Sequence, residues 1–303
     1  MDTQKLLNYM DNLRFDRKMS QSTYLFEVVS QRQYYRYRNG ESEIPFDILN
    51  KLANKLEIPL LKIISSYQAH AQAEKEIVLD IYNLVIRKRF KEANTLLRKH
   101  KNLLLIDNES LLFYFLSKVL LDFYQNKITN LDMIEKLKEK IDFDNTMKKQ
   151  ILHDSELFIL GVIMEYSDSD REIILNKVNQ LRKNNKLLLS GKAIFNFQVY
   201  FWITKNLGRL ARFEELIEIA NIAIEAAQKN YSYYSLEYFY YYKSLAYHAM
   251  KKEKEFEEAL TQTIYTLFLV DAYKREIFFK NIEKDTKINA KEFIIDKIKK
   301  EFE

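Results

Sequence analysis

Residues 30–40 read Ser-Gln-Arg-Gln-Tyr-Tyr-Arg-Tyr-Arg-Asn-Gly, a stretch with three arginines, two glutamines and no acidic residue. Serine is a favoured N-cap, and Gln33, three residues after Ser30, can complete a capping box by bonding back to the N-cap backbone. Gly40 stands where a helix C-terminus takes a left-handed residue, which glycine adopts without steric cost. The stretch therefore predicts a short helix whose N-terminal half is basic and rich in amides.

A helix of this composition is suited to the major groove of DNA. Arginine can bind guanine through two hydrogen bonds, and glutamine can bind adenine in the same way. The same residue types are also typical of a solvated helix surface. The prediction of DNA binding therefore depends on the helices that surround the stretch.

The spacing of apolar residues predicts those surrounding helices. Five short helices are expected in the first 66 residues: about 3–16, Ser20 to about Phe26, the stretch 30–40, a helix between Pro45 and Pro59, and one that begins at Leu60. Proline suits the first position of a helix and cannot continue one, so the two prolines bracket the fourth helix.

This region resembles the helix-turn-helix of phage-repressor (Xre/Cro) type. Ser20-Gln21 opens the second helix, and the third has the pattern Ser-x-x-x-Tyr-Tyr-Arg-Tyr-x-x-Gly. The segments 39–44, 48–49 and 53–58 look more specifically like those of Rgg-type and PlcR-type regulators.

The resemblance also implies roles for individual side chains. Gln21 would cap a helix or contact a DNA phosphate, while Tyr34 and Tyr37 would lie in the core. The residues that would face the major groove are Gln31, Arg32, Gln33 and Arg36.

Arg38 departs from the family pattern and is a further candidate for DNA binding. The family usually has a glutamate at this position, paired with an arginine of the first helix, which here is Arg14. Two arginines cannot pair with each other. Arg38 therefore faces solvent, binds a DNA phosphate, or binds one of the acidic residues Asp11, Glu27 and Glu41.

The composition predicts an almost wholly helical protein. Only 4 Gly and 2 Pro occur in 303 residues, whereas Leu, Lys, Glu and Ile are abundant. The absence of Cys excludes disulfides and fits a reducing compartment. No apolar run approaches the ~18 residues of a membrane span, and the N-terminus lacks the basic and apolar parts of a signal peptide. These features favour a cytoplasmic protein.

A small pattern recurs in the rest of the chain, at residues 90–93, 213–216 and 256–259. In each copy a Phe is followed by Lys-Glu or Glu-Glu and then by Ala or Leu. The pattern resembles the second helix of a tetratricopeptide repeat, which packs through an aromatic and a small residue. We expect an all-α chain with three regions: a helix-turn-helix domain at 1–66, a helical connector at 67–74, and an α-solenoid of degenerate tetratricopeptide-like helix pairs at 75–303.

The first helices of such pairs line the concave face of a solenoid, where ligands bind. Two parts of these helices are unusual: the surroundings of Trp202, the single Trp, and residues 231–247, which hold eight of the 21 tyrosines. An aromatic stripe of this kind is also typical of a core. Even so, consecutive tyrosines point all round a helix, so one face meets solvent, a partner chain or a ligand. The candidate peptide-binding residues are Asn196, Gln198, Tyr200, Tyr234, Tyr238, Tyr241 and Tyr242.

The motifs of common enzymes are missing from the sequence. The four histidines lie far apart without H-E-x-x-H spacing, and there is no Cys to complete a metal site. Neither G-x-S-x-G nor the P-loop pattern occurs. We therefore expect no catalysis, no metal and no cofactor.

An Xre-type head followed by a tetratricopeptide-like body is similar to the RRNPP regulators of Gram-positive bacteria. This resemblance implies a cytoplasmic homodimer that binds a palindromic DNA operator and is controlled by a short peptide pheromone, as in quorum sensing. Two other interpretations stay open. One is a peptide-independent dimeric repressor or activator whose body only dimerises or docks another protein. The other is an interaction scaffold with a vestigial head.

Overall fold

The computed structural model describes residues 3–104, 107–188 and 193–302, and its chain divides into two compact units, 1–129 and 130–303. The described residues form seventeen helices and one pair of two-residue strands. The expected all-α fold is therefore confirmed. None of the described helices is both long and apolar enough to span a membrane.

The first unit begins with the five helices that the sequence predicts, but the fifth is not short: it runs for 27 residues. Its described helices are α1 (Thr3–Asp16), α2 (Gln21–Leu25), α3 (Gln31–Arg38), α4 (Phe46–Lys55), α5 (Leu60–Ile86), α6 (Phe90–Lys99) and α7 (Asn108–Tyr124). Pro45 is the N-cap of α4 rather than its first helical residue. The helix ends at Lys55, before Pro59 is reached, because Glu57 takes a left-handed conformation with φ 55°.

Helices α1 to α4 and the first half of α5 share one hydrophobic core, called the head here. Tyr34 is fully buried in it and Tyr37 is partly buried, so the expected core positions are confirmed. The other fully buried members of this core include Leu6, Leu7, Met10, Tyr24, Leu52, Leu56 and Ile63.

Helix α5 passes without interruption through the expected connector at 67–74. Its first half belongs to the head, where the Ser66 Oγ lies 2.7 Å from the hydroxyl of Tyr9. Its second half packs on α6 and α7, with the rings of Tyr82 and Phe113 5.9 Å apart. The two ends of one helix are therefore fixed to two different sets of helices.

The second unit contains the remaining helix pairs. Its described helices are α8 (Asn130–Lys140), α9 (Phe143–Lys148), α10 (Asp154–Tyr166), α11 (Asp168–Lys183), α12 (Ala193–Arg209), α13 (Phe213–Lys229), α14 (Leu236–Ala249), α15 (Glu253–Leu267), α16 (Ala272–Thr286) and α17 (Ala290–Phe302). The strands β1 (Leu152–His153) and β2 (Leu187–Leu188) pair in parallel beside α10 and α11.

Consecutive helices of this unit pack as pairs from α10/α11 to α16/α17, and the first helices α10, α12, α14 and α16 contact one another in succession. Phe213 opens α13, and Phe256 lies in the first turn of α15. Three residues after each phenylalanine, Leu216 and Ala259 are buried against the partner helix. This arrangement is the repeat packing that the recurring Phe pattern predicts.

One close approach between two first helices occurs at a glycine. A Cβ atom built on Gly161 of α10 would lie 2.5 Å from the Cδ2 atom of Trp202 on α12. The Trp202 and Phe158 rings also pack at nearly a right angle, with centroids 4.9 Å apart. The single tryptophan is therefore a packing residue between α10 and α12.

The scarcity of glycine does not prevent tight turns at the helix ends. Twelve non-glycine residues among those described have φ between 49° and 64°, most of them just after a helix. Examples are Ala211 after α12 and Lys251 after α14, at φ 55° and 58°. Such a conformation costs an L-residue roughly 1–2 kcal/mol. Helix packing therefore outweighs a repeated local strain.

Candidate nucleic-acid interface and repeat groove

Helix α3 begins and ends largely as its sequence predicts. The Ser30 Oγ accepts a hydrogen bond from the Gln33 backbone N–H at 3.2 Å. At the other end Gly40 has φ +74°, and the Glu41 N–H donates to the Arg36 carbonyl at 2.9 Å. The reciprocal half of the capping box does not form, because the Gln33 Oε1 accepts from Arg36 Nη1 at 3.4 Å and not from the Ser30 N–H, while the Gln33 Nε2 donates to Ser42 Oγ at 3.1 Å.

One side of α3 is buried and the other is exposed. Each helical residue turns the side-chain direction by about 100°, so the positions opposite buried Tyr34 face outward. Arg32 and Arg36 hold those positions, and Gln31 and Tyr35 lie to one side of them; all four side chains are exposed. Arg32 makes no hydrogen bond or ion pair with any part of the chain that the structure describes, so its guanidinium is available to a partner.

Gln21 of α2 joins this exposed face through two hydrogen bonds. Its Oε1 accepts from the Gln31 Nε2 at 3.4 Å and from the Tyr35 hydroxyl at 3.3 Å. Helices α2 and α3 are therefore linked by side chains at this exposed surface. The sequence analysis predicted DNA-binding roles for both glutamines but not for Tyr35.

Arg36 and Gln33 lie at the edge of the same surface. The Arg36 Nη1 donates to Gln33 Oε1 at 3.4 Å, and its Nε lies 3.8 Å from Glu41. Because Gln33 also bonds to Ser42, its amide positions the loop after α3. Exposed ion pairs of this length contribute little, so Arg36 can still turn to a phosphate or a base.

The side chain of Arg38 is used inside the head. It donates to the Asn8 Oδ1 at 3.0 and 2.8 Å and to the Asp11 Oδ2 at 3.2 Å. Asp11 also accepts from Arg14 Nε at 2.7 Å, and this bond raises the pKa of Arg14. Of the alternatives that the sequence left open for Arg38, the structure shows the pairing with Asp11.

An aromatic cluster crosses three first helices of the second unit. Phe201 of α12 lies 4.9 Å from Tyr238 and 6.0 Å from Tyr242 of α14, measured between ring centroids. Tyr238 in turn lies 4.9 Å from Phe278 of α16. We call these four rings the aromatic floor. Burial raises the pKa of Tyr238 to about 12 and raises that of Tyr242 further.

Charged side chains flank the aromatic floor at both ends. On one side the Glu165 Oε1 of α10 accepts from Lys205 at 2.6 Å and from Arg209 at 2.8 Å. The other oxygen of this carboxylate is buried and has no hydrogen-bond partner among the described residues. On the opposite side Lys274 of α16 binds the buried Glu237 at 2.5 Å.

The predicted peptide-binding residues do not all lie on this floor. Tyr238 and Tyr242 belong to it, whereas Tyr241 is buried and donates its hydroxyl to the Asp285 carboxylate at 2.5 Å. Tyr200 points the other way on α12, with Arg182 6.0 Å above its ring. Asn196 is exposed, Gln198 is half-buried, and Tyr234 is exposed beside Phe197.

Sequence reasoning missed Phe201, Lys205, Glu165 and Phe278. A helical count from Tyr238 and Tyr242 cannot find them, because they come from other helices. The signal that was available is the spacing of Phe201, Lys205 and Arg209, which share one side of α12. The described residues include no group of three or more His, Asp or Glu that could hold a metal ion.

Solved structures share the fold over most of the chain. PlcR from Bacillus thuringiensis in its apo form superposes with a TM-score of 0.58 at 17% identity, over 89% of this chain and 96% of that one. ComR from S. thermophilus, in complex with DNA and its signalling peptide ComS, superposes with a TM-score of 0.55 at 16% identity, over 93% and 100%. The chain has the fold of PlcR and ComR. No protein-family model and no curated protein matches it.

PlcR has also been solved in complex with the peptide PapR7 and DNA, and that structure matches with a TM-score of 0.50 at 18% identity, over 92% of this chain and 99% of that one. PlcR and ComR are RRNPP-type regulators, the type that the sequence resembles. The expected architecture of a helix-turn-helix head followed by a repeat body is therefore confirmed.

Proposed function

We propose that this protein is a cytoplasmic, dimeric, sequence-specific DNA-binding regulator of transcription that is controlled by a short peptide. The observation that carries the proposal is the exposed face of α3, where Arg32 is unpaired and Gln31 is held by Gln21. The shared fold supports it, because ComR with DNA and a signalling peptide covers 93% of this chain.

In this proposal the residues of α3 have different tasks. Arg32 and Gln31 contact base edges, since arginine and glutamine can each make two hydrogen bonds to one base. Gln21 and Arg36 contact phosphates, which gives affinity but no sequence choice. Arg38 is occupied with Asp11 and Asn8, so we assign it to the stability of the head rather than to DNA.

The aromatic floor is the proposed peptide site. Phe201, Tyr238 and Tyr242 are partly exposed and offer apolar area, while Phe278 is buried and packs against Tyr238. The two tyrosines add hydroxyl groups that can bond a peptide backbone. Lys205 and Arg209 share one carboxylate, so this end of the floor carries a surplus of positive charge. Tyr238 and Tyr242 stay in the proposed site, while Tyr241 is assigned to packing.

The proposed control is a shift between two states of the dimer. Two heads bind half-sites one helical turn apart, roughly 34 Å, on a palindromic operator. A peptide that binds one state of the repeat body better than the other raises the population of that state. The heads then bind the operator with altered affinity.

The test combines operator binding with thermal melting of the purified full-length protein. Short peptides encoded beside its gene are added, and a cognate peptide is expected to raise the melting temperature and change operator affinity. Phe201→Ala is expected to abolish both effects. Tyr231→Ala is the matched control, because this tyrosine is 94% exposed and is not part of the aromatic floor.

The rival interpretations predict other outcomes. Strong operator binding that no peptide alters favours the peptide-independent regulator, whose body dimerises or docks another protein. A double variant, Arg32→Ala with Arg36→Ala, that binds DNA as well as the parent protein contradicts both the peptide-controlled and the peptide-independent DNA-binding regulator. Lys51→Ala, on the exposed side of α4, is the control for a simple loss of charge.

A further inference from the structure

Tyr35 lies in the middle of the surface that is proposed to enter DNA. With about 100° of rotation per residue, its direction on α3 falls between those of Gln31 and Arg32. Its side chain is 43% exposed, whereas the neighbouring Tyr34 is fully buried. The exposed ring of Tyr35 therefore contributes little to packing in the core of the head. It places a large apolar group among polar side chains on the outer surface of α3.

The hydroxyl proton of Tyr35 is already engaged. It is donated to the Gln21 Oε1 at 3.3 Å, and the same oxygen accepts from Gln31. A phosphate oxygen only accepts hydrogen bonds, so Tyr35 in this arrangement has no proton to give to the DNA backbone. What it presents to a groove is the face and edge of its ring.

We propose that Tyr35 determines specificity by packing its ring against the C5-methyl group of a thymine in the major groove. Among the four bases only thymine carries a methyl group there, and apolar side chains recognise it by contact. The inference rests on the proposed DNA binding and adds a residue and a base to it. The hydrogen bond to Gln21 holds the ring in place before DNA arrives.

The experiment begins with selection of bound sequences from randomised duplex DNA by the full-length protein. Each thymine of the selected site is then replaced in turn by deoxyuracil, which lacks only the methyl group. Burying one methyl group is worth about 0.8 kcal/mol. We therefore expect that one thymine in each half-site contacts Tyr35, and that replacing a single such thymine by deoxyuracil lowers the affinity of the protein for the site roughly fourfold.

Variants assign this loss to a side chain. Tyr35→Ala is expected to bind the thymine and uracil sites equally. Tyr35→Phe keeps the ring and is expected to keep the fourfold ratio while binding both sites more weakly, because the Gln21 Oε1 then keeps only its hydrogen bond from Gln31. Arg32→Ala, the matched control on the same surface, is expected to lose affinity with an unchanged ratio.

Two results overturn the inference while leaving DNA binding intact. One is a selected site at which no uracil replacement matters to the parent protein. The other is a thymine preference that survives in Tyr35→Ala or disappears in Tyr35→Phe. A selection that yields no preferred sequence contradicts the proposed sequence-specific DNA binding itself, and with it the inference about Tyr35.

Discussion

Arg38 at the end of α3 donates to the Asp11 carboxylate of α1 at 3.2 Å, and Asp11 also accepts from Arg14 at 2.7 Å. The sequence suggested a broken pair, since Arg38 stands where related helix-turn-helix domains have a glutamate. The structure shows that the acidic partner has moved to α1. One carboxylate there neutralises two guanidinium groups and joins the two helices.

Replacing Asp11 by Ala is expected to destabilise the head. Two partly buried guanidinium groups then lose their shared carboxylate, which costs about 2 kcal/mol in the free energy of unfolding. Urea unfolding followed by circular dichroism measures the change. Asp16→Ala is the control, because Asp16 is exposed at the end of the same helix. An equal loss in both variants would contradict the bridging role.

A carboxylate at position 38 offers a second test of the same arrangement. In an Asp11→Asn background, Arg38→Glu can pair with Arg14 as the family pattern does. The double variant is therefore expected to recover part of the stability that Asp11→Asn loses. If it is the less stable of the two, Arg14 is out of reach of residue 38.

The head shows how far the sequence reaches. Ser30 and Gly40 fixed the limits of α3 because caps act within a few residues of chain. Local patterns could not predict that Gln33 bonds to Ser42, or that Arg38 bonds to Asn8, 30 positions away. Such contacts depend on how the helices pack against one another, and local sequence patterns do not predict that packing.

The repeat body shows the same division. Phe213 and Phe256 predicted their helices because the pattern is repeated. Tyr241 and Tyr242 are neighbours in sequence, yet one is buried against α16 and the other lies on the aromatic floor. Only the positions of α12 and α16 separate them. The sequence therefore predicted which segments are helices, but it could not predict which side chains form the aromatic floor.

Gly161 and Gly208 give opposite expectations for the same substitution. Gly161→Ala places a Cβ atom against Trp202 and is expected to cost about 1–3 kcal/mol of stability through overpacking. Gly208→Ala meets only a Leu216 methyl group at 3.2 Å and gains helix propensity, so it is expected to be neutral or stabilising. Tryptophan fluorescence during urea unfolding reports both. Equal losses would argue against a special closeness at Gly161.

Tyr34 carries a buried hydroxyl that has no hydrogen-bond partner among the described residues. Removing it in Tyr34→Phe is expected to stabilise the head by about 1 kcal/mol, since an unsatisfied buried group is costly. Tyr9→Phe deletes the same atom from a bonded position and is expected to destabilise by a similar amount. Thermal unfolding measures the melting temperatures of the two variants. Changes of the same sign in both melting temperatures would contradict this prediction.

Burial also raises the pKa of Tyr34 well above its ordinary value. The unfolded chain releases this proton near pH 10 and the folded chain retains it, so the free energy of unfolding falls as the pH rises beyond that point. The fall is at most about 1.4 kcal/mol per pH unit for one group. Tyr34→Phe is expected to flatten the decline between pH 10 and 11. An unchanged slope would argue against its burial.

Ala211, the left-handed residue after α12, is expected to be improved by glycine. At φ 55° an alanine is strained, and Ala211→Gly relieves this at some entropic cost, for a net gain of about 0.5–1 kcal/mol. Ala226→Gly within α13 is expected to cost about 1 kcal/mol instead. Chemical denaturation distinguishes them, and a loss at both sites would show that the turn is not strained.

The last prediction concerns α5, which carries the head on its first half and packs on α6 and α7 with its second. One alanine inserted between Ala71 and Gln72 rotates the two halves by about 100° and lengthens the helix by about 1.5 Å. The paired heads of a dimer would then miss their half-sites, so operator affinity is expected to fall at least tenfold.

Seven inserted residues restore the helical phase to within about 20°. They are expected to recover more operator affinity than one residue does, although they move the heads farther. Melting curves of both variants serve as the control for folding. If affinity instead declines steadily with the length of the insertion, α5 acts as a spacer and does not set the orientation of the head.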